Sequence, residues 1–144
     1  MVKKKSISWI IPCFNEEEVI IKSLNEIIKV SKSIDNYEWE IVIIDDGSVD
    51  KTSELVKEFT NNKFDIHLIQ FSRNFGHQQA VQAGLDFCKG NAAIIIDADL
   101  QDPPNLAEKM ISKWENGFQV VYGKRVQRLA ENKFKILTAF LFYR

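Results

Sequence analysis

An open, doubly wound α/β sheet is the fold predicted by this 144-residue sequence. Three observations lead there. Short apolar, β-branched runs alternate with amphipathic helical runs along the chain. The strand candidates lack the in-out alternation of a half-solvated sheet, so helices must cover both faces. The polar clusters follow the strand candidates, at the end of the sheet where such folds bind ligands.

Taken in order, Ser6–Phe14 is an apolar run in which Pro12 suits a strand's exit. Glu16–Ser33 places Ile20, Leu24, Ile27 and Ile28 at helical spacing, with acids in the expected first turn and Asn15 as the expected N-cap. Glu40–Ile44 is a strand closed by Asp45-Asp46-Gly47-Ser48, and Thr52–Thr60 a short helix through Leu55, Val56 and Phe59. Ile66–Phe71 is the third strand. Gln78–Cys88 is a helix with Val81, Leu85 and Cys88 on one side. Ala92–Ile96 is the fourth strand, Pro104–Glu115 a helix opened by proline and closed near Gly117, and Phe118–Tyr122 the fifth strand. Right-handed crossovers join such strands into a mostly parallel sheet.

An apolar content of 45% and a charged content of 27% are those of an ordinary globular domain. The net charge of -1 gives no drive toward nucleic acid, and no nucleic-acid partner is expected. Basic residues do gather at the end: Lys124, Arg125, Arg128, Lys133, Lys135 and Arg144 face a single acid, Glu131. Cys13 and Cys88 sit in apolar surroundings without a metal or redox spacing, and read as small buried hydrophobes. No signal peptide is expected, and no stretch reaches the ~20 apolar residues that span a bilayer.

The sharpest chemical feature is Asp97-Ala98-Asp99-Leu100-Gln101, at the exit of the most hydrophobic strand. On an extended backbone Asp97, Asp99 and Gln101 point to one side and offer the hard oxygens that Mg²⁺ or Mn²⁺ prefers. Asp99 and Asp102 also suit a turn before Pro103-Pro104. In Asp45-Asp46-Gly47-Ser48-Val49-Asp50, Gly47, Ser48 and Asp50 read as a turn and helix cap, whereas Asp46 suits a hydrogen bond to a base or ribose. Arg73 and Asn74 stand at a strand exit beside Gly76, which lets a ligand approach the backbone, and His77 follows at a helix start. Neither a Gly-x-Gly-x-x-Gly nor a P-loop string occurs, which argues against a nicotinamide dehydrogenase and a P-loop NTPase. A bound diphosphate would instead be neutralised by a metal at the Asp pair and by Arg73, Lys124 or Arg125. No Ser-His-Asp or Cys-His arrangement appears.

Pro12-Cys13-Phe14-Asn15-Glu16, Asp45-Asp46-Gly47-Ser48-Val49-Asp50, Ser72-Arg73-Asn74-Phe75-Gly76-His77, Asp97 through Pro103 and Tyr122-Gly123-Lys124-Arg125 occur in order. The sequence thereby resembles family-2 glycosyltransferases of the GT-A fold, in the polyprenyl-phosphate branch that includes bactoprenol glucosyltransferases and dolichol-phosphate mannose synthases. The resemblance implies an inverting enzyme that moves a sugar from a nucleotide sugar, a UDP-sugar by preference, to a polyprenyl-phosphate lipid. It implies that Pro12, Phe14, Asn15, Glu16 and Asp46 hold the nucleotide, with Arg73, Asn74, His77 and Asp97 completing the donor site. Asp97, Asp99 and Gln101 would surround Mg²⁺ or Mn²⁺, Asp99 and Arg125 would serve catalysis, and Arg125 and Lys135 would meet the acceptor phosphate. A catalytically silent nucleotide-sugar-binding module is the alternative.

Relatives of that branch continue past the position of Arg144, so the chain is expected to be shortened at its C-terminus. Residues 1–132 are expected to form the catalytic domain. Residues 133–144, apolar apart from Lys133, Lys135, Thr138 and Arg144, are expected to form a helix that either folds back or lies in a membrane surface. The second option places the protein peripherally on the cytoplasmic side of the cell membrane.

Overall fold

In the computed structural model, which describes residues 4–60 and 64–124, the first apolar run becomes β1, Ser6–Cys13. It is followed by α1 (Ile20–Ser33), β2 (Glu38–Asp45), α2 (Thr52–Phe59), β3 (Asp65–Gln70), α3 (His77–Phe87), β4 (Ala92–Ile95) and α4 (Leu106–Glu115). All strand pairs are parallel and the order is β3-β2-β1-β4. The chain winds outward through β1, β2 and β3 and then returns to the other side of β1. The fork between β1 and β4 is therefore the topological switch point.

The central strands β1 and β2 are buried on both faces almost throughout, as their Ile and Val content requires. Ile10, Val42 and Ile44 form one face and meet Ala80 of α3. The opposite face carries Trp9, whose indole N–H donates to Ser31 Oγ on α1 at 2.9 Å. Each large aliphatic chain buried here is worth about 1.5–3 kcal/mol. Gly84 lets α3 lie flat on the sheet: a Cβ there would come within 2.5 Å of Ile10 Cγ2 and 2.7 Å of Ile44 Cδ1.

The β1–β4 ladder is short, closing at the Ile10–Ile95 pair and the bond from Ile96 N to Ile10 O. Even-numbered residues of β1 thus aim their backbone groups at β4. Pro12 lies past the last rung, where its missing N–H leaves no ladder bond unmade.

The structure corrects several expectations. α1 starts at Ile20 behind Val19, so Asn15 is not its N-cap and the acids Glu16, Glu17 and Glu18 precede its first turn. Asn15 has φ 55° and spends its side chain elsewhere, as described below. α3 buries Ala80 and Gly84 rather than Val81, Leu85 and Cys88, because only small residues fit so close to the sheet. Leu85 is exposed and Cys88 half-buried. Phe118–Tyr122 is no strand. It has no ladder partner among the described residues, and Phe118, Val120 and Tyr122 are exposed.

The chain divides into two compact units, Met1–Lys109 and Met110–Arg144. The first contains the whole sheet. In the second, α4 ends where Gly117, at φ 94°, takes the left-handed conformation, and its N–H donates to Trp114 O. The Lys113 ammonium lies 5.8 Å from the centre of the Phe118 ring. The expected helix at 133–144 lies outside the described residues. No helix among the described residues is long and apolar enough to cross a membrane.

Candidate functional site

The loops after β1 and β2 are laced together. Asn15 N donates to Ser48 Oγ at 2.9 Å, Glu16 N to Thr52 Oγ1 at 2.8 Å and Glu17 N to Asp50 Oδ2 at 3.1 Å. In return Val49 N donates to Asn15 Oδ1 at 2.9 Å and Lys51 N to Glu17 Oε2 at 3.0 Å. These tertiary bonds outweigh the local cap that Asn15 would otherwise provide. Burial pushes the Asp50 carboxyl up, but hydrogen bonds from the Thr52 hydroxyl and N–H and from Glu17 N hold it below the ordinary aspartate value.

The adjacent acids at the end of β2 do different work. Asp45 is fully buried and braces α2, accepting from Ser53 Oγ and, at 2.9 Å, from Ser48 N. Asp46 points to the other face and accepts from Phe75 N at 2.7 Å and Gly76 N at 2.9 Å. Both of its oxygens thereby anchor the loop between β3 and α3. That loop also rests on Gly47, where φ is 74° and a Cβ would lie 2.4 Å from the Arg73 carbonyl carbon. Gly47 is therefore required both by its backbone conformation and by the close approach of a second chain segment.

These loops and the turn after β4 enclose a cavity of about 350 Å³ at the carboxyl ends of the strands. It is lined by Pro12, Phe14, Glu16, Asp46, Asn74, His77, Asp97 and Asp99 of the residues expected from sequence. Cys13, Gly76, Ala80 and Ala98 also line it. The sequence marked Gly76 as a place of close approach but did not single out Cys13, Ala80 and Ala98, whose signal was small size where a wall must come close to a ligand. Burial, then the nearby Asp45 and Glu16, drive the Cys13 thiol far above the ordinary range, which disfavours the nucleophilic thiolate.

Three carboxylates crowd one side. Burial raises the Glu16 carboxyl above its usual value, and the charges of Asp99, Asp50 and Asp97 raise it further. His77 Nε2 lies 4.0 Å from Asp97 Oδ1. The chain does not stay extended here: Asp97 to Leu100 turn, with Leu100 at φ 59° and Gln101 N donating to Asp99 Oδ1 at 2.9 Å. The same-side stacking of Asp97, Asp99 and Gln101 is thus replaced by a turn, because the ladder to β1 has already ended. Asp97 and Asp99 line the cavity and Gln101 does not. Hard oxygen donors under mutual repulsion fit a divalent cation that keeps open positions for phosphate and water. Among the described residues they close no three-ligand cage.

Asn15 and Arg73 are not among the residues that line the cavity. Asn15 serves the lacing, and the Arg73 guanidinium lies 4.8 Å from the centre of the Phe75 ring. Arg125 and Lys135 lie outside the described residues, as does the end of the Gly123-Lys124-Arg125 cluster.

A family described as glycosyl transferase family 2 matches residues 8–143. The chain is 44% identical over 138 residues to the uncharacterised glycosyltransferase YkcC of Bacillus subtilis, across 95% of this chain and 42% of that protein. It is 38% identical to a bactoprenol glucosyl transferase of Shigella phage SfX, across 96% of this chain and 45% of the relative. The chain thus spans less than half the length of these curated relatives. It superposes on a mannosyltransferase of Pyrobaculum calidifontis in complex with GDP-Man and Mn²⁺ with a TM-score of 0.65, at 23% identity, over 78% of this chain and 33% of that one. Against S. aureus TarS in complex with UDP-GlcNAc the TM-score is 0.62 at 22% identity, over 85% of this chain and 37% of that one. The sheet and its neighbours are those of the GT-A fold. By the match across nearly its whole length, the chain belongs to glycosyl transferase family 2.

Proposed function

We propose that the chain forms the donor site of an inverting glycosyltransferase that passes a sugar from a UDP-sugar to a polyprenyl phosphate. One observation carries this reading: a cavity at the β1–β4 switch point, walled by laced loops and edged by Glu16, Asp97 and Asp99. In this assignment Pro12, Phe14, Asn15, Glu16 and Asp46 hold the nucleotide. Arg73, Asn74 and His77 accompany its phosphates and sugar, beside the positive end of α3. Asp97, Asp99 and Gln101 are the proposed ligands of Mg²⁺ or Mn²⁺, of which the first two line the cavity. Such an ion, when bound, supplies Lewis-acid stabilisation of the departing diphosphate.

The rest falls to the chain's own groups. A lipid phosphate is already ionised at neutral pH, so the acceptor needs no strong general base. Catalysis then rests on positioning and on charge stabilisation, with Asp99 and Arg125 as the proposed catalytic residues. Attack on the face opposite the leaving diphosphate inverts the anomeric carbon. Arg125 and Lys135 are assigned to the acceptor phosphate. Residues 133–144 are assigned to the cytoplasmic membrane surface, where Lys133 and Lys135 suit anionic headgroups.

Calorimetry with UDP, GDP and their sugars, with and without chelator, tests the donor assignment. Affinity for the uridine compounds should fall steeply in chelator and in Asp99→Asn, while the fold survives. Metal-independent binding would overturn it. Incubation with polyprenyl phosphate then separates an enzyme from a silent binding module, which would bind the donor without releasing UDP.

A further inference from the structure

A second cluster of ligand-type side chains stands at the amino ends of the strands, away from the cavity. Glu40 of β2 pairs in register with Asp65 of β3, and Val42 with His67, so Glu40, Asp65 and His67 share the α3 face of the sheet. Their ligand atoms lie within 4.8 Å of one another. His67 Nε2 is 3.0 Å from Asp65 Oδ1 and 3.9 Å from Glu40 Oε2. The His67 ring is set edge-on against Phe87, with centroids 5.3 Å apart.

Glu40 is the unusual member, because its side chain is only 8% exposed. Its Oε1 accepts from Ser8 Oγ at 2.5 Å, Lys89 N at 2.5 Å and Gly90 N at 3.1 Å. These bonds fix the carboxylate and aim Oε2 at His67. Oε2 lies 3.9 Å from His67 Nε2, too far for a hydrogen bond and close enough for both to reach one ion. The Lys89 ammonium lies 5.9 Å from the centre of the Phe87 ring. The single Nε2 faces two carboxylates and can donate to one.

We propose that Glu40, Asp65 and His67 form a divalent-metal site for a borderline ion of the Zn²⁺ class, separate from the Asp97–Asp99 turn. Zn²⁺ takes imidazole nitrogen and carboxylate oxygen at about 2.0–2.2 Å, which sets tetrahedral ligand atoms about 3.3 Å apart. The separations of 3.0 and 3.9 Å lie on either side of that value. Imidazole in the set disfavours Mg²⁺ and Ca²⁺, which want oxygen alone. His67 and Asp65 are 32% and 63% exposed, which gives the ion an entry path and a water its fourth position. The bound ion ties the outer strand β3 to β2 and, through Glu40, to the loop before β4. Its effect is to stabilise the fold by mass action.

The test uses the full chain with ZnCl₂ alone, followed by Co²⁺ as a spectroscopic stand-in. One equivalent of Zn²⁺ should bind, raise the melting temperature and persist when Asp97 and Asp99 are both changed to Asn. Co²⁺ should give the intense visible absorption of a tetrahedral site. His67→Ala should abolish binding, and Asp65→Asn, at an exposed position that leaves the fold intact, should weaken it by about tenfold or more. Failure of the unaltered chain to bind Zn²⁺ overturns the proposal. So does binding that is unchanged in Asp65→Asn, or lost in the Asp97→Asn/Asp99→Asn chain. The donor-site assignment stands or falls separately, on uridine nucleotides and chelator.

Discussion

The two sides of the cavity are built to opposite rules. On the β2 side, the loops after β1 and β2 exchange five backbone-to-side-chain hydrogen bonds, and Asp46 anchors a third loop with both oxygens. On the β4 side, a turn with a strained Leu100 holds out Asp97 and Asp99 against the charge of Glu16. The first side is organised before any ligand arrives, and binding there costs little ordering. The second is electrostatically incomplete and gains most from an added positive charge. Shape is fixed by one wall, and charge is met by the other.

The comparison breaks most severely at Gly47. Gly47→Ala combines an unfavourable left-handed conformation with a Cβ driven into the backbone of Arg73. A loss of about 2–4 kcal/mol is expected in denaturant unfolding, and uridine-nucleotide binding should suffer with it. A neutral result would mean that the 72–76 loop is not held against β2. Next comes Asp46→Asn, which leaves one amide oxygen to serve two N–H donors. It should cost about 1–3 kcal/mol and increase amide exchange at Phe75 and Gly76 while sparing Ser48. Equal loosening of both loops would show that the β2 rim acts as one unit.

The smallest effect sharpens the other wall. Glu16 has a raised folded-state pKa, so its ionised form is disfavoured by folding, and the cost appears as pH rises through the carboxylate range. Glu16→Gln should therefore stabilise the metal-free chain at neutral pH by about half a kcal/mol or less, and the gain should vanish in acid. Melting curves over pH 3 to 8 (a range set by ordinary carboxylates) check the sign. A gain that persists in acid would remove electrostatic crowding as its cause.

The strands were legible in the sequence because Ile and Val runs such as Ile41–Ile44 admit few other fates, and their parallel order followed from the intervening helices. Helix entry was not. Asn15 has the composition of a cap, yet Ser48 and Val49, more than thirty residues away, take its hydrogen bonds. A local rule cannot see a partner supplied by the fold. The same holds for Phe118–Tyr122, whose β-propensity has no neighbour to act on among the described residues. For the site, the acids Asp46, Asp97 and Asp99 were found by their place after strands, and the cavity gathers them. The distinct jobs of Asp45 and Asp46 depend on which face each side chain takes, and that needed the register.

Pro12 carries a further consequence for the shape of the sheet. Continuing the β1–β4 ladder by one rung requires an N–H at residue 12 donating to the carbonyl of Ile96, and proline has none. The two strands therefore lose one of the two bonds that would zip them past Ile10, whatever side chains follow Ile96. An imide ring in one strand acts as a mechanical stop for its neighbour and frees residues 97–100 to peel away as a turn. The opening between the strands is thus favoured by covalent structure as well as by the side chains of the acidic turn.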